Sequence, residues 1–259
     1  MSERRKSSSG PKGPKVFRDR AEAGDALAET LATLDLVDPL ILGMARGGVP
    51  VASRIARRLG GRGSRDEHSG ADLGGADLGG ADLGAADLDV IVSRKIGAPN
   101  QPELAIGAVA ENGVVLIERA AMEYLGVGDT ELEAMVSSAQ TELARRVALY
   151  RGDNELREVA GRQVVVVDDG IATGYTARAA LDSVLESNPA RLVLAVPVCP
   201  RAAIGQFNDI ELVCLSHPHP FDSVGRWYEH FDQVDDEEVL QLLEMPSQPD
   251  PRRYPDQAT

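Results

Sequence analysis

The chain has 259 residues, 43% of them hydrophobic, and carries a formal net charge of −14. That length can bury one good-sized core with a small appended subdomain, while the acidity argues against nucleic acid as the main partner, because a phosphate backbone demands a basic footprint. No apolar run approaches a membrane span and the amino terminus lacks a signal-peptide core, so the expectation is a soluble cytoplasmic protein.

Residues 1–15 set Arg4, Arg5, Lys6, Lys12 and Lys15 among Ser, Gly and Pro and read as a disordered basic tail. Residues 16–245 read as one domain. Phe17 to about Leu36 has a helical stripe through Ala26, Leu27, Thr30, Leu31 and Leu34. Leu40 to Met44 is a short buried strand. The turn Ala45-Arg46-Gly47-Gly48-Val49-Pro50 follows it, and Val51 to Leu59 reads as a helix. Within residues 60–88 an Ala-Asp-Leu-x-x pentad repeats from Ala71, similar to the pentapeptide repeats of β-solenoids. Four pentads make a single coil, too few to stack and bury their leucines, so this insertion reads as a flexible acidic loop without chemistry. Asp89 to Ser93 is the next strand, with Arg94 and Lys95 at its end. Ile96 to Glu103 is rich in breakers and reads as a mobile loop. Leu104 to Val109 and Val114 to Ile117 are strands around the hairpin signal Glu111-Asn112-Gly113. Asp129-Thr130-x-x-Glu133 suggests a capping box. It opens a long helix whose stripe is Leu132, Met135, Val136, Ala139, Leu143, Val147 and Tyr150.

The chain is organised around the stretch from Val164 to Thr176. Four valines form a buried strand, Asp168 and Asp169 follow at its carboxyl end, and a turn through Gly170-Ile171-Ala172-Thr173-Gly174-Tyr175-Thr176 opens a helix. In parallel sheets ligands bind outside the carboxyl ends of strands, and a helix N-terminus there offers free N–H groups to a phosphate. The acceptor-only carboxylates suit vicinal ribose hydroxyls or a divalent cation. This pattern resembles the 5-phosphoribosyl diphosphate (PRPP) binding motif of type I phosphoribosyltransferases: an apolar strand, two acidic residues, variable residues and Thr-Gly-x-Thr.

Arg191 to Val198 is a further buried strand, Arg201 to Phe207 a short helix and Ile210 to Leu215 a last strand. Strands alternating with helices predict an α/β fold with a central, mainly parallel sheet flanked by helices. Cys199 and Cys214 lie on separate apolar runs without metal-ligand spacing and read as buried thiols. His217 and His219 read as Pro-flanked surface histidines. Residues 246–259 are a polar, Pro-rich tail.

The resemblance covers about residues 16–245 and implies several roles. Ala172, Thr173, Gly174, Tyr175 and Thr176 cradle the 5-phosphate. Arg46, Gly47 and Gly48 hold the diphosphate, in a loop where many family members have an unusual cis peptide. Asp168 and Asp169 hold the ribose hydroxyls and Mg²⁺. Arg94 and Lys95 begin a loop that closes over the site, the alternative being two solvated cations. Residues 207–235 form a hood in which Trp227, Tyr228 and Phe221 either stack on the acceptor or close a small core of their own. The implied activity is transfer of the 5-phosphoribosyl group from PRPP to a nitrogenous acceptor with release of diphosphate, by an enzyme often dimeric. The alternative is a PRPP- or nucleotide-sensing regulator that does no chemistry. Ala172 stands where enzymes acting on 6-oxopurines usually carry Asp, which disfavours that acceptor class, and the loop after Lys95 lacks the further basic residues of the orotate branch.

Overall fold

The computed structural model describes residues 16–60, 86–99 and 101–244, with backbone alone at Pro102 and Glu103; both expected tails and most of the pentad insertion lie outside these residues. Five parallel strands form the main sheet: β1 (Leu40–Met44), β2 (Leu88–Ile91), β6 (Gln163–Val167), β7 (Arg191–Val198) and β8 (Glu211–Ser216). Their spatial order is β2-β1-β6-β7-β8. The intervening strands β3 (Ser93–Ala98), β4 (Gln101–Ala110) and β5 (Val115–Ile117) form a separate antiparallel sheet.

Period-two alternation builds a two-sided core from the valine run. Val165 and Val167 pack with Ile41, Val193 and Ala195 against Leu27, Leu31, Val51 and Ile55 of α1 (Arg20–Leu31) and α2 (Gly48–Gly60). Val164 and Val166 pack with Leu40, Leu42 and Leu194 on the opposite face. That face is covered by Ala177, Ala180, Leu181 and Val184 of α5 (Tyr175–Leu185) and by Ala203 of the short α6 (Arg201–Ile204). All four valines are fully buried. From β1 the chain passes to β2 on one side of the sheet, whereas β6, β7 and β8 extend it on the other. The strand order therefore reverses between β1 and β6, and a crevice forms there at the carboxyl ends of adjacent parallel strands.

A second layer joins this sheet. The short α3 (Arg119–Leu125) leads into α4 (Asp129–Arg151), whose expected apolar stripe packs with Ile96, Ala98 and Val109 of β3 and β4. Val239 of α7 (Asp236–Leu243) lies in the same cluster.

Four local expectations are corrected. The expected mobile loop over Ile96 to Glu103 is instead an antiparallel pairing of β3 with β4, in the register Arg94–Val109 and Ile96–Gly107. Burial of Ile96 and Ala98 under α4 outweighs the local breakers, and the pairing shifts register on either side of Gly97. Arg94 and Lys95 thus lie inside a strand and not at the end of one. The capping box does not form: Gly128 is the N-cap and no side chain caps there, Asp129 being already the first helical residue. The first helix is shorter than its stripe, and Asp19 caps it by accepting from the Glu22 N–H at 2.8 Å. Lastly, α2 begins at Gly48, so Pro50 falls in its first turn, where no intrahelical N–H is needed.

Candidate active site

Two strand–turn–helix units meet at the crevice. After β6 the turn runs from Asp168 to Gly174, and α5 begins at Tyr175. Gly174 is the N-cap in a left-handed conformation (φ 89°), and no side chain caps the helix. A Cβ at Gly174 would also meet the Gln206 side chain at 2.8 Å, so both backbone and space call for glycine. Gln206 braces this turn by donating to the Thr173 carbonyl at 2.7 Å. Ala172 and Thr173 are exposed at its tip. The amides of the first turn of α5, with the positive end of its dipole, are thereby left facing the crevice, an arrangement suited to an anion.

A cavity of about 460 Å³ lies over this turn, within the usual range for small-molecule sites. It is lined by Asp168, by the backbone and side chains from Gly170 to Ala177, and by Lys95 and Ala105 of the antiparallel sheet. Asp222, Ser223 and Val224 close it from the segment after β8. Tyr175 ties the two layers together, its hydroxyl donating to the Glu118 carboxylate. Burial, reinforced by Glu118, pushes that phenol up to about 12.

The acidic pair is divided. Asp168 lines the cavity, and its Oδ1 accepts the Asp169 N–H at 2.9 Å. Asp169 does not line it. Its Oδ2 accepts from both Nε and Nη2 of Arg20, each at 2.8 Å, and its carbonyl accepts the Tyr228 hydroxyl at 2.6 Å. Arg20 in turn donates to the Asp232 carbonyl at 2.7 Å and stacks 3.9 Å over the Phe231 ring. Burial pushes both carboxyls above the usual range. The Asp169 charge adds to the rise at Asp168, and the Arg20 guanidinium opposes the rise at Asp169.

The turn after β1 sits beside this pair. The Ala45–Arg46 peptide bond is cis. A Cβ on Gly47 would collide with Asp169 Oδ2, and one on Gly48 would collide with the Val167 carbonyl oxygen. The glycine pair therefore lets α2 begin directly against the end of β6. Arg46 reaches Asp236 in the first turn of α7, 3.7 Å away.

Arg94 and Lys95 are neighbours in β3, and both line a hollow against Glu131, Met135 and Ala139 of α4. Lys95 also lines the cavity, whereas the Arg94 guanidinium lies 4.0 Å from Glu142 of α4. Trp227 and Tyr228 are buried in a small core with Phe17 and Ala23, and Phe221 stacks on Trp227 at 6.5 Å between ring centroids. The Phe17 N–H donates to the Trp227 carbonyl at 2.8 Å, which fastens the amino-terminal end of the domain to this segment. Arg20 is the residue that sequence reading misses. It stands one position after a helix cap, in no motif, and meets Asp169 across 149 positions of chain.

The geometry describes an α/β protein with a cavity beside a reversal of strand order. The family description "Phosphoribosyl transferase domain" matches residues 19–226, and the chain belongs to this family. "Putative phosphoribosyl transferase Rv0571c" of Mycobacterium tuberculosis strain H37Rv is 36% identical over 232 residues, as is its counterpart MT0597 in strain CDC 1551. These alignments take in 89% of this chain and 47% of each relative, so the chain spans about half the length of the curated relatives it matches. The crystal structure of TT1426 from Thermus thermophilus is 39% identical, with a TM-score of 0.66 over 88% of this chain and 97% of that one. Among the described residues no helix is long and apolar enough to cross a membrane.

Proposed function

We propose that the crevice binds PRPP with Mg²⁺, and that the chain transfers the 5-phosphoribosyl group to a nitrogenous acceptor, releasing diphosphate. The observation that carries this reading is the uncapped N-terminus of α5 opening on the same 460 Å³ cavity as Asp168 and Lys95. In this assignment the amides and hydroxyls from Ala172 to Thr176 receive the 5-phosphate, and Asp168 accepts from the ribose hydroxyls. Arg46 and the backbone of Gly47 and Gly48 receive the diphosphate, with Lys95 adding a charge from the facing sheet. Asp169, held by Arg20, fixes the orientation of the acidic turn.

The donor set fits a hard divalent cation. The Asp168 carboxylate lines the cavity and is pushed up by burial and by the Asp169 charge, and a cation beside it would favour its charged form, whereas Asp169 is held by Arg20. When bound, Mg²⁺ would neutralise charge on the diphosphate leaving group. The protein's own contribution is to place an acceptor nitrogen in line with the anomeric carbon. The new C–N bond forms as the C–O bond to diphosphate breaks, and the electron pair leaves with the diphosphate oxygen. Positioning and preorganised charge are the means. Ala172, in place of an acidic residue, argues against a 6-oxopurine acceptor. A homodimer and a cytoplasmic setting complete the proposal.

One observation favours a second reading, a PRPP sensor without chemistry. The segment expected to close over the diphosphate is a paired hairpin, and Arg94 is turned to Glu142. Calorimetric titration with PRPP, with and without Mg²⁺, tests the site. Saturable, metal-dependent binding supports both readings, and diphosphate release on screening nitrogenous acceptors separates them. A folded protein that binds no PRPP under either condition overturns both.

A further inference from the structure

Behind the crevice, the carboxyl ends of β7 and β8 gather three groups that are scattered in the sequence. Cys199 directly follows β7, Cys214 lies in β8 and His217 follows β8. The register pairs Val196 with Cys214 and Val198 with Ser216, and the Cys199 N–H donates to the Ser216 carbonyl at 3.2 Å. The candidate ligating atoms of the three residues all lie within 4.8 Å of one another. His217 Nδ1 is 3.3 Å from Cys199 Sγ and 3.4 Å from the Cys199 carbonyl oxygen. The Cys214 thiol donates to the Ser216 carbonyl at 3.2 Å. Cys199 is 1% exposed, Cys214 half-buried and His217 exposed, so the cluster runs from the core to the surface.

We propose that Cys199, Cys214 and His217 form a binding site for a thiophilic d¹⁰ cation of the zinc class, through two thiolates and one imidazole nitrogen. Two sulfurs and a nitrogen select zinc-like ions over magnesium or calcium, which take oxygen shells. A tetrahedral zinc with bonds of about 2.3 Å to sulfur and about 2.0 Å to nitrogen sets its donors about 3.5–3.8 Å apart. The cluster is close to that size already, and small side-chain rotations complete it. Two thiols must lose their protons in all, so binding tightens as pH rises.

This site is separate from the magnesium site of the proposed function. It still adjoins the same turn, because the Ile171 N–H donates to the Val198 carbonyl at 2.9 Å, one residue before Cys199. Cys199 also packs in one cluster with Ile171 and Phe207. An ion there would pin the ends of β7 and β8 under the phosphate-facing turn.

The test is a Co²⁺ titration of the reduced full chain after chelator treatment, read by absorption. One equivalent of Co²⁺ per chain is expected to give a thiolate-to-cobalt band in the near ultraviolet and strong visible bands of tetrahedral cobalt, all bleached by Zn²⁺. His217→Ala removes an exposed ligand without touching the core and is expected to weaken Co²⁺ binding by about a hundredfold or more. Cys214→Ser is expected to lower the thiolate band by about half. Three results overturn the proposal: no thiolate band at saturating Co²⁺ with both thiols reactive, a band indifferent to His217→Ala, or Cys199 and Cys214 joined as a disulfide in the protein as purified.

Discussion

The turns after β1 and β6 are built alike, and both use glycine where protein packs closely, at Gly47 and Gly48 in one and at Gly170 and Gly174 in the other, but only the second lines the cavity. Gly174 leaves the amides of α5 exposed toward the cavity. Gly47 and Gly48 are pressed against Asp169 and the Val167 carbonyl, so they bring protein backbone onto protein. The turn after β6 reads as a ligand cradle. The turn after β1 is foremost a joint that seats α2 against the acidic turn, and any diphosphate contact is made from the outer side of that joint. A Gly-rich turn in a sequence therefore does not by itself say which partner the glycine admits.

Substitutions sharpen this contrast. The largest effect is expected from Gly48→Ala, because the added Cβ meets a carbonyl in the sheet that cannot yield. It should cost about 1–3 kcal/mol of stability and also impair PRPP binding, measured by thermal melting and calorimetry. If Gly48→Ala melts like the parent, the joint reading is wrong. Arg20→Met should follow. It strands the Asp169 carboxylate among Phe231, Tyr228 and the glycine joint, and a loss of about 1–3 kcal/mol is expected after discounting for partial exposure. Arg20→Lys should recover part of the loss, since it keeps the charge and loses the fork.

Asp168→Asn separates binding from stability. It should abolish Mg²⁺-dependent PRPP binding and yet raise the melting temperature of the ligand-free protein, because an ionised carboxyl beside Asp169 is costly there. The sign with pH follows from the upward shift. Stability from a carboxyl raised in the fold is complete below its unfolded value and is lost as pH rises through its folded value. The gap between the parent and Asp168→Asn should therefore widen in favour of the variant as pH rises above about 4, the unfolded carboxyl value, as melting curves would show. A constant gap would mean that Asp168 titrates normally. The smallest contrast is within β3. Lys95→Ala should weaken PRPP binding by about tenfold, an order of magnitude fitting one partly screened charge, whereas Arg94→Ala should change it less than about threefold. Equal effects would mean that β3 rearranges when ligand binds.

Most of the main sheet is legible in the sequence. Its strands are short apolar runs bounded by turn residues, and the Val164 to Thr176 pattern carries both the strand and the start of the helix that lines the cavity within a few positions. The antiparallel layer is not legible in the same way. Gly97 and Pro99 argue locally for a loop, and only the burial of Ile96 and Ala98 under α4 reverses that. The long helix shows itself in its apolar stripe, while its start does not, since the expected cap Asp129 already lies in the helix. The aromatic residues of the hood leave two readings open, and Trp227 and Tyr228 lie within a core formed with Phe17.

By itself the sequence determined the parallel α/β layout, the acidic turn and its glycine-bounded helix start, because each rests on residues adjacent in the chain. Tertiary structure alone decided that Asp168 faces the cavity while Asp169 turns to Arg20, that Lys95 lines the cavity while Arg94 lies by Glu142, and that two cysteines and a histidine converge behind the turn. Each of those outcomes depends on contacts between elements far apart in the chain, and local spacing carries no record of them.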